Sequence, residues 1–304
     1  MKPAPFGYRR PGSLTEALSA YADASDAKIL AGGQSLIPLL SMRLANVAEL
    51  IDINGIEELS RITVSGEGVR FGATVRHSDL LSHPQVAAVQ PMISAALQHV
   101  AHATIRNRGT TVGSIVHADA SGEMPTVFAL LDGRLTVQSV RGTRELSADE
   151  LFIGPLETSL APDEIATEIF VPALPARHGV AFDEIARRHG DYALVGVGVV
   201  VGLGPDERIT SVRAGYVSVS EVPTVVDLTE VLGDRTSDGL TDEALRAAGE
   251  LALTHLEPEA DIHATAHYRA QLVRVLTGRV VRAAYDDAVA RSNRSEGTPS
   301  NARS

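Results

Sequence analysis

Two short glycine-bearing stretches are where this chain has residues suited to chemistry. The first, Ala31-Gly32-Gly33-Gln34-Ser35, follows the apolar residues Ile29 and Leu30 and precedes QSLIPLLSMRL, whose apolar residues recur at helical spacing. The second, Thr110-Thr111-Val112-Gly113-Ser114, follows a turn at Asn107 to Gly109 and supplies hydroxyls as well as glycine. A loop that opens a helix presents backbone N–H groups, and small residues let phosphate oxygens reach them. Neither stretch fits G-x-x-x-x-G-K-[ST] or G-x-G-x-x-G, which argues against a nucleoside triphosphate site and against a Rossmann site. Each loop alone reads as an ordinary turn. As a pair they could clasp the two ends of a pyrophosphate. No lysine sits in either glycine-rich stretch, so charge neutralisation would rest mainly on oriented backbone dipoles.

Other constellations carry less. His99 with His102, and His263 with His267, have spacings that set two ligands on one helix face, but no third ligand is linked to either pair and H-E-x-x-H is absent. They read as structural or surface residues. No G-x-S-x-G elbow supports a hydrolase. With no cysteine, the chain forms no disulfide, thiolate zinc site, cysteine-ligated iron–sulfur cluster or catalytic thiol. Any redox centre it holds is bound another way.

The elements that must position the two loops follow from periodicity. Residues 26–53 read as strand, tight loop, helix and strand. VRFGATVRHSDLL reads as a strand and a short helix capped by Ser78, and PMISAALQHV as a helix with proline in its first turn. A long glycine-bearing loop is expected from Ala103 to Pro125. RLTVQSV, EIATEIFVP and GVAFDEIARR read as strands, with a lobe boundary in Pro172–Arg177. Beyond it come two valine-rich strands, ALVGVGVVVGL and SVRAGYVSV, then a helix capped by Thr241 and a long C-terminal helix.

The fold class is therefore α+β, and 304 residues suffice for two or three lobes. A net charge of −11 disfavours nucleic acid and anionic lipid as partners. The N-terminus lacks the features of a secretory signal and no stretch is apolar enough to span a membrane, so the expected location is the cytoplasm, without membrane insertion.

Taken in order, AGGQSL at 31–36, TIRNRGTTVGS at 104–114, HAD at 117–119 and EMP at 123–125 resemble the FAD-binding medium subunit of the molybdenum hydroxylases. That family includes the carbon monoxide dehydrogenase medium subunit and the FAD domain of xanthine dehydrogenase. The resemblance runs from FGYRRPGSLTEAL, through ARRHGDYALVGVGV, to the C-terminal helices. It implies a two-lobed FAD-binding domain of the vanillyl-alcohol-oxidase-like (PCMH) type at 1–175, with lobes at about 1–55 and 56–175. It further implies a C-terminal α+β domain at 176–288 and a disordered tail at 289–304.

By the same resemblance the cofactor is FAD. Lys28, Ile29, Leu30, Ala31, Gly32, Gly33, Gln34 and Ser35 wrap its first part, the last four against the pyrophosphate. Thr110, Thr111, Val112, Gly113 and Ser114 form the second wall. Glu123 hydrogen-bonds the flavin's sugar chain, Ile165 lies near the cofactor, and Tyr192 covers one face of the isoalloxazine. His117 and Asp119 fall in the FAD-binding loop with a positioning role. No residue is assigned to catalysis or to a metal. The implied partners are a large molybdenum-cofactor subunit and a small [2Fe-2S] subunit, in a dimer of heterotrimers. The implied activity is electron transfer from those clusters through FAD to an external acceptor. Two departures stand out: Val112 where relatives usually have glycine, and Glu184 where they often have lysine. Two alternatives stay open, a self-sufficient FAD oxidoreductase of the same fold class and a scaffold subunit with a decayed flavin site.

Overall fold

The computed structural model describes residues 2–296. The chain divides between Ala173 and Leu174 into two compact units, within the segment Pro172–Arg177.

The first unit begins with a small sheet of β1 (Gly7–Arg9), β2 (Ala27–Leu30) and β3 (Glu49–Asp52), ordered β1-β3-β2 with both pairings parallel. Parallel neighbours cannot be joined by a hairpin, so each connection carries a helix: α1 (Leu14–Asp23) and α2 (Leu36–Met42). Ser13 starts α1 by accepting the Glu16 N–H. Leu40, Val47 and Leu50 form the buried centre of this lobe, with Leu30 and Leu36 packed on it. Leu30 and Asp52 are partners at the carboxyl ends of β2 and β3, the side of a parallel sheet where ligands bind.

A larger antiparallel sheet follows: β4 (Ile62–Val64), β5 (Gly68–Gly72), β6 (Arg134–Ser139), β7 (Gly142–Leu146) and, after the short pair β8 (Phe152–Gly154) and β9 (Glu157–Thr158), β10 (Ile165–Pro172). Its order is β4-β5-β10-β6-β7, which puts the most apolar strand in the middle, with Ile165, Ile169 and Val171 buried. Between β5 and β6 lie α3 (His77–Leu81), α4 (Pro84–Val89), α5 (Pro91–Leu97), α6 (Ala103–Arg106), α7 (Thr111–His117) and α8 (Glu123–Leu130); α9 (Ala148–Leu151) precedes β8.

The second unit is a four-stranded antiparallel sheet, β11 (His178–Ala186), β12 (Ala193–Leu203), β13 (Ile209–Val217) and β14 (Thr224–Asp227), with α10 (Thr229–Leu232), α11 (Asp242–Leu253) and α12 (Ala266–Glu296). Its core joins Val195, Val197, Val199 and Val201 of β12 to Leu276, Val280 and Ala284 of α12. Tyr216 and Thr277 share a buried hydrogen bond of 3.0 Å, and burial raises the tyrosine's pKa despite it.

The structure corrects three expectations. The long loop from Ala103 to Pro125 contains α6, α7 and the start of α8, because Thr110 caps α7 by accepting the Gly113 N–H. Ser78 lies inside α3, whose first turn is instead closed by the Asp79 carboxylate accepting the Arg76 N–H at 3.1 Å. Residues 289–296, expected in a tail, continue α12, whose apolar residues Ala284 and Ala288 belong to the core. The rest of that expected tail, residues 297–304, lies outside the described residues. Among the described residues no helix is long and apolar enough to cross a membrane.

Candidate functional site

The first loop leaves β2 at Leu30 and opens α2. Gly33 adopts φ +74°, a left-handed conformation that side chains other than glycine's disfavour. Gly32 is constrained differently, by a neighbour. A Cβ on it would stand 2.7 Å from the carbonyl oxygen of Arg108, 2.7 Å from Gly109 Cα and 2.8 Å from the Thr110 nitrogen. The two stretches expected to cooperate are thus in direct backbone contact, and a bare backbone at residue 32 is what permits it. Among the described residues, the N–H groups of Gly32, Gly33, Gln34, Ser35 and Thr110 donate no hydrogen bond, so these donors are uncommitted at the point where the loops meet.

Beside this contact is a cavity of about 460 Å³ lined by Leu30, Ala31, Gly32, Gly33, Gln34, Ile37, Pro38, Asp52, Asn54 and Arg108. A chain of polar groups stands behind it. Tyr8 Oη donates to Asp52 Oδ2 at 2.5 Å, and Asn54 donates to Asp52 Oδ1 from its backbone N at 2.9 Å and from Nδ2 at 2.6 Å. Asn54 Nδ2 also reaches the carbonyl of Ala31 at 2.9 Å. Arg76 completes the chain, donating to Asn54 Oδ1 and to the carbonyl of Arg108, both at 2.6 Å. One guanidinium therefore links the first loop, through Asn54, to the second. Burial pushes the Asp52 carboxyl upward, but the hydrogen bonds from Tyr8 and Asn54 and the charge of Arg10 outweigh it, leaving the group below its ordinary pKa. Burial, and then the positive charge of Arg108, lower the pKa of Arg76, with Asp79 and Asp52 partly offsetting them.

The second loop is anchored from below by His77. Its backbone N–H donates to the Gly109 carbonyl at 3.0 Å, and its Nδ1 lies 2.9 Å from Thr111 Oγ1. Burial, and secondarily the charge of Arg106, push the imidazole down to about 4, so it is neutral at physiological pH. The two threonine hydroxyls of this stretch are spent inside: Thr110 Oγ1 caps α7 and Thr111 Oγ1 pairs with His77. Val112 is buried in the core in the first turn of α7, and its backbone is not left-handed, so its Cβ does not enter the cavity wall.

Of the residues anticipated from sequence, Leu30, Ala31, Gly32, Gly33 and Gln34 line the cavity, with Gln34 Nε2 folded back on the Gly32 carbonyl at 3.1 Å. Lys28, on β2, is exposed; Ile29 and Ser35 are half-buried beside the lining residues, and Gly113 and Ser114 are half-buried in α7. Glu123 is buried at the first position of α8 and Ile165 in the sheet core at the start of β10; neither lines this cavity. His117 ends α7, and Asp119 Oδ1 accepts the Ser121 N–H in the turn before α8. Tyr192 belongs to the second unit, in the turn before β12, and is 67% exposed.

Sequence reading missed Tyr8, Asp52, Asn54, Arg76, His77 and Arg108. The Asp-x-Asn of residues 52–54 just after a strand was a legible turn signal; nothing marked Arg76 or His77, whose partners lie 22 to 34 residues away.

The uncommitted donors and the glycine cradle fit a diphosphate held close to backbone. Comparison with known proteins agrees. Residues 4–174 match the family described as the FAD binding domain in molybdopterin dehydrogenase, and residues 180–284 match the CO dehydrogenase flavoprotein C-terminal domain. The chain belongs to the FAD-binding medium subunits of the molybdenum hydroxylase family, a family of oxidoreductases. It is 42% identical to the nicotine 6-hydroxylase medium subunit of Paenarthrobacter nicotinovorans over 282 residues, 92% of this chain and 98% of that one. It is 32% identical to the carbon monoxide dehydrogenase medium chain of Hydrogenophaga pseudoflava over 286 residues, 94% of this chain and 99% of that one. Among solved structures, quinoline 2-oxidoreductase from Pseudomonas putida 86 superposes with a TM-score of 0.88 at 36% identity, covering 95% of this chain and 99% of that one.

Proposed function

We propose that this chain is the electron-transfer flavoprotein of a heterotrimer, taking electrons from [2Fe-2S] clusters on a small partner subunit and delivering them to an external acceptor. A large subunit with a molybdenum cofactor would oxidise the substrate, and two heterotrimers would pair, in the cytoplasm. Bound FAD supplies the capacity to exchange electrons singly or in pairs. The single observation that carries the reading is the backbone contact of Gly32 with Gly109 and Thr110, which sets uncommitted N–H donors beside the cavity. The absence of cysteine supports the division of labour, since cysteine-ligated clusters must then sit on another chain. The relatives' names, medium subunit and medium chain, point the same way.

In this reading Gly32, Gly33, Gln34 and Ser35 hold the pyrophosphate by their N–H groups, and residues 28–31 support that turn. Thr110 to Ser114 close the second wall through backbone, with the side chains of Thr110, Thr111 and Val112 turned into the protein. Glu123, Ile165 and Tyr192 keep the roles implied by the family resemblance, toward the flavin's sugar chain and ring. Native purification with subunit identification and an absorption spectrum tests the proposal. The expected result is a yellow complex containing a molybdenum subunit and an iron–sulfur subunit. A colourless preparation that neither retains nor binds added FAD would overturn it, as would full turnover by the isolated chain.

A further inference from the structure

A lysine-free pair of glycine loops leaves the two negative charges of a diphosphate to backbone dipoles alone, yet the fold brings two arginines to the same place. Arg76 is the inner one, and both of its terminal nitrogens are occupied, by Asn54 and by the Arg108 carbonyl. Arg108 is the outer one. It is exposed, it lines the cavity with Gly32, Gly33 and Gln34, and among the described residues its side chain forms no ion pair or hydrogen bond. The nearest acid of the cavity, Asp52, does not serve it, because both carboxylate oxygens are taken up by Tyr8 and Asn54. Two guanidinium groups close enough for one to lower the other's pKa repel each other, and an anion between the outer one and the loop would relieve that repulsion.

Position adds to charge. The Arg108 carbonyl is gripped by Arg76 and stands 2.7 Å from where a Gly32 Cβ would be, so the root of the Arg108 side chain is fixed against the first loop. A long side chain anchored there can fold over the uncommitted N–H groups of residues 32–35. Its guanidinium would bring a full positive charge to the diphosphate and donate charge-assisted hydrogen bonds to its oxygens.

We propose that the Arg108 side chain is the cationic ligand of the FAD diphosphate. This rests on the FAD site described above and adds to it the charge that the glycine loops lack. No movement of the backbone is required, only a rotamer of an exposed side chain.

The test is FAD titration of the full-length apoprotein at several salt concentrations, for the wild type, Arg108→Gln and Arg108→Lys, with the thermal midpoint of each apoprotein as a folding control. Losing a charge-assisted contact is expected to weaken FAD binding roughly ten- to hundredfold in Arg108→Gln. The variant should also show a shallower salt dependence, and Arg108→Lys should regain much of both. Since Arg108 is exposed, the apoprotein midpoints should agree. Arg108→Gln binding within about twofold of wild type with the same salt dependence would overturn the inference while leaving the FAD site standing. Arg108→Lys as weak as Arg108→Gln would also overturn it, since shape rather than charge would then be at work. A wild-type apoprotein that binds no FAD would remove the site on which the inference rests.

Discussion

Gly32 and Thr110 meet through bare backbone: a methyl group on the first would stand 2.8 Å from the nitrogen of the second. That spacing forces a choice on any larger residue, to push the second loop away or to distort the first. Overpacking of this kind costs about 1–3 kcal/mol. Gly32→Ala is therefore expected to weaken FAD binding at least tenfold and to lower the apoprotein's thermal midpoint by a few degrees, on the order of 2–4 °C per kcal/mol. Isothermal titration and thermal unfolding read the two effects separately. An alanine variant with wild-type affinity would show that the loop contact is not part of the site.

Arg76 joins the loops from behind, and its replacement probes geometry as well as charge. Arg76→Ala removes two hydrogen bonds of 2.6 Å and leaves Asn54 Oδ1 and the Arg108 carbonyl without this donor. Such bonds to a charged group are worth about 1.5–3 kcal/mol each, less where water can substitute. Arg76→Lys should recover less than half of the loss, because one ammonium cannot span both acceptors. Urea unfolding of the three proteins measures this; full rescue by lysine would rule out the fork.

His77 makes the second loop sensitive to acid. Its pKa is about 4 in the fold against an ordinary value of 6.5, so the unfolded chain binds the proton more readily. Stability from this group is complete above pH 6.5 and falls as pH drops toward 4, by up to roughly 3 kcal/mol. His77→Asn, which has no charge to gain, should flatten the stability profile between pH 6.5 and 4 relative to wild type. Chemical denaturation at half-unit pH steps gives the comparison; parallel profiles would exclude the histidine as the source.

Arg269 is the corresponding strut of the second unit. Buried at the start of α12, it donates to the carbonyls of Leu194 at 2.5 Å and Ser218 at 2.9 Å and pairs with Asp261 at 2.6 Å. Removing it leaves two carbonyls without this donor, so Arg269→Ala should cost about 2–4 kcal/mol of unfolding free energy. Asp261→Asn should cost less, under about 1 kcal/mol for the charge, because its carboxylate is half-exposed and solvent screens the pair. The ordering of the two variants in denaturant midpoint is the check, and a reversed ordering would contradict it.

Much of the fold was legible because its signals are local. The strand ending at Leu30, the helix of residues 36–42 and the strand of 49–52 each follow from apolar period and glycine placement. Thr241 was readable as a cap because its partner, the Ala244 N–H, is three residues away. Ser78 misled for the same reason, since a hydroxyl near a helix start is a cap only when no carboxylate closes the turn first. The sequence shows the hydroxyls of Thr110 and Thr111 but carries no sign of which face of a short helix is buried, so their inward partners are not legible in it.

By itself the sequence determined the family, the two-domain α+β organisation and the two glycine loops, all of which depend on residue type and order along the chain. The tertiary structure decided how those loops cooperate. It set Gly32 against the backbone of Arg108 to Thr110, tied them through Asn54 and Arg76, and turned the threonine hydroxyls toward His77 and the α7 cap. These contacts join residues far apart in sequence, and hydrogen bonds of about 3 Å form only once packing has set every intervening element in place. That neither glycine stretch holds a lysine is plain in the sequence, and only the fold shows that Arg76 and Arg108 come to stand beside them.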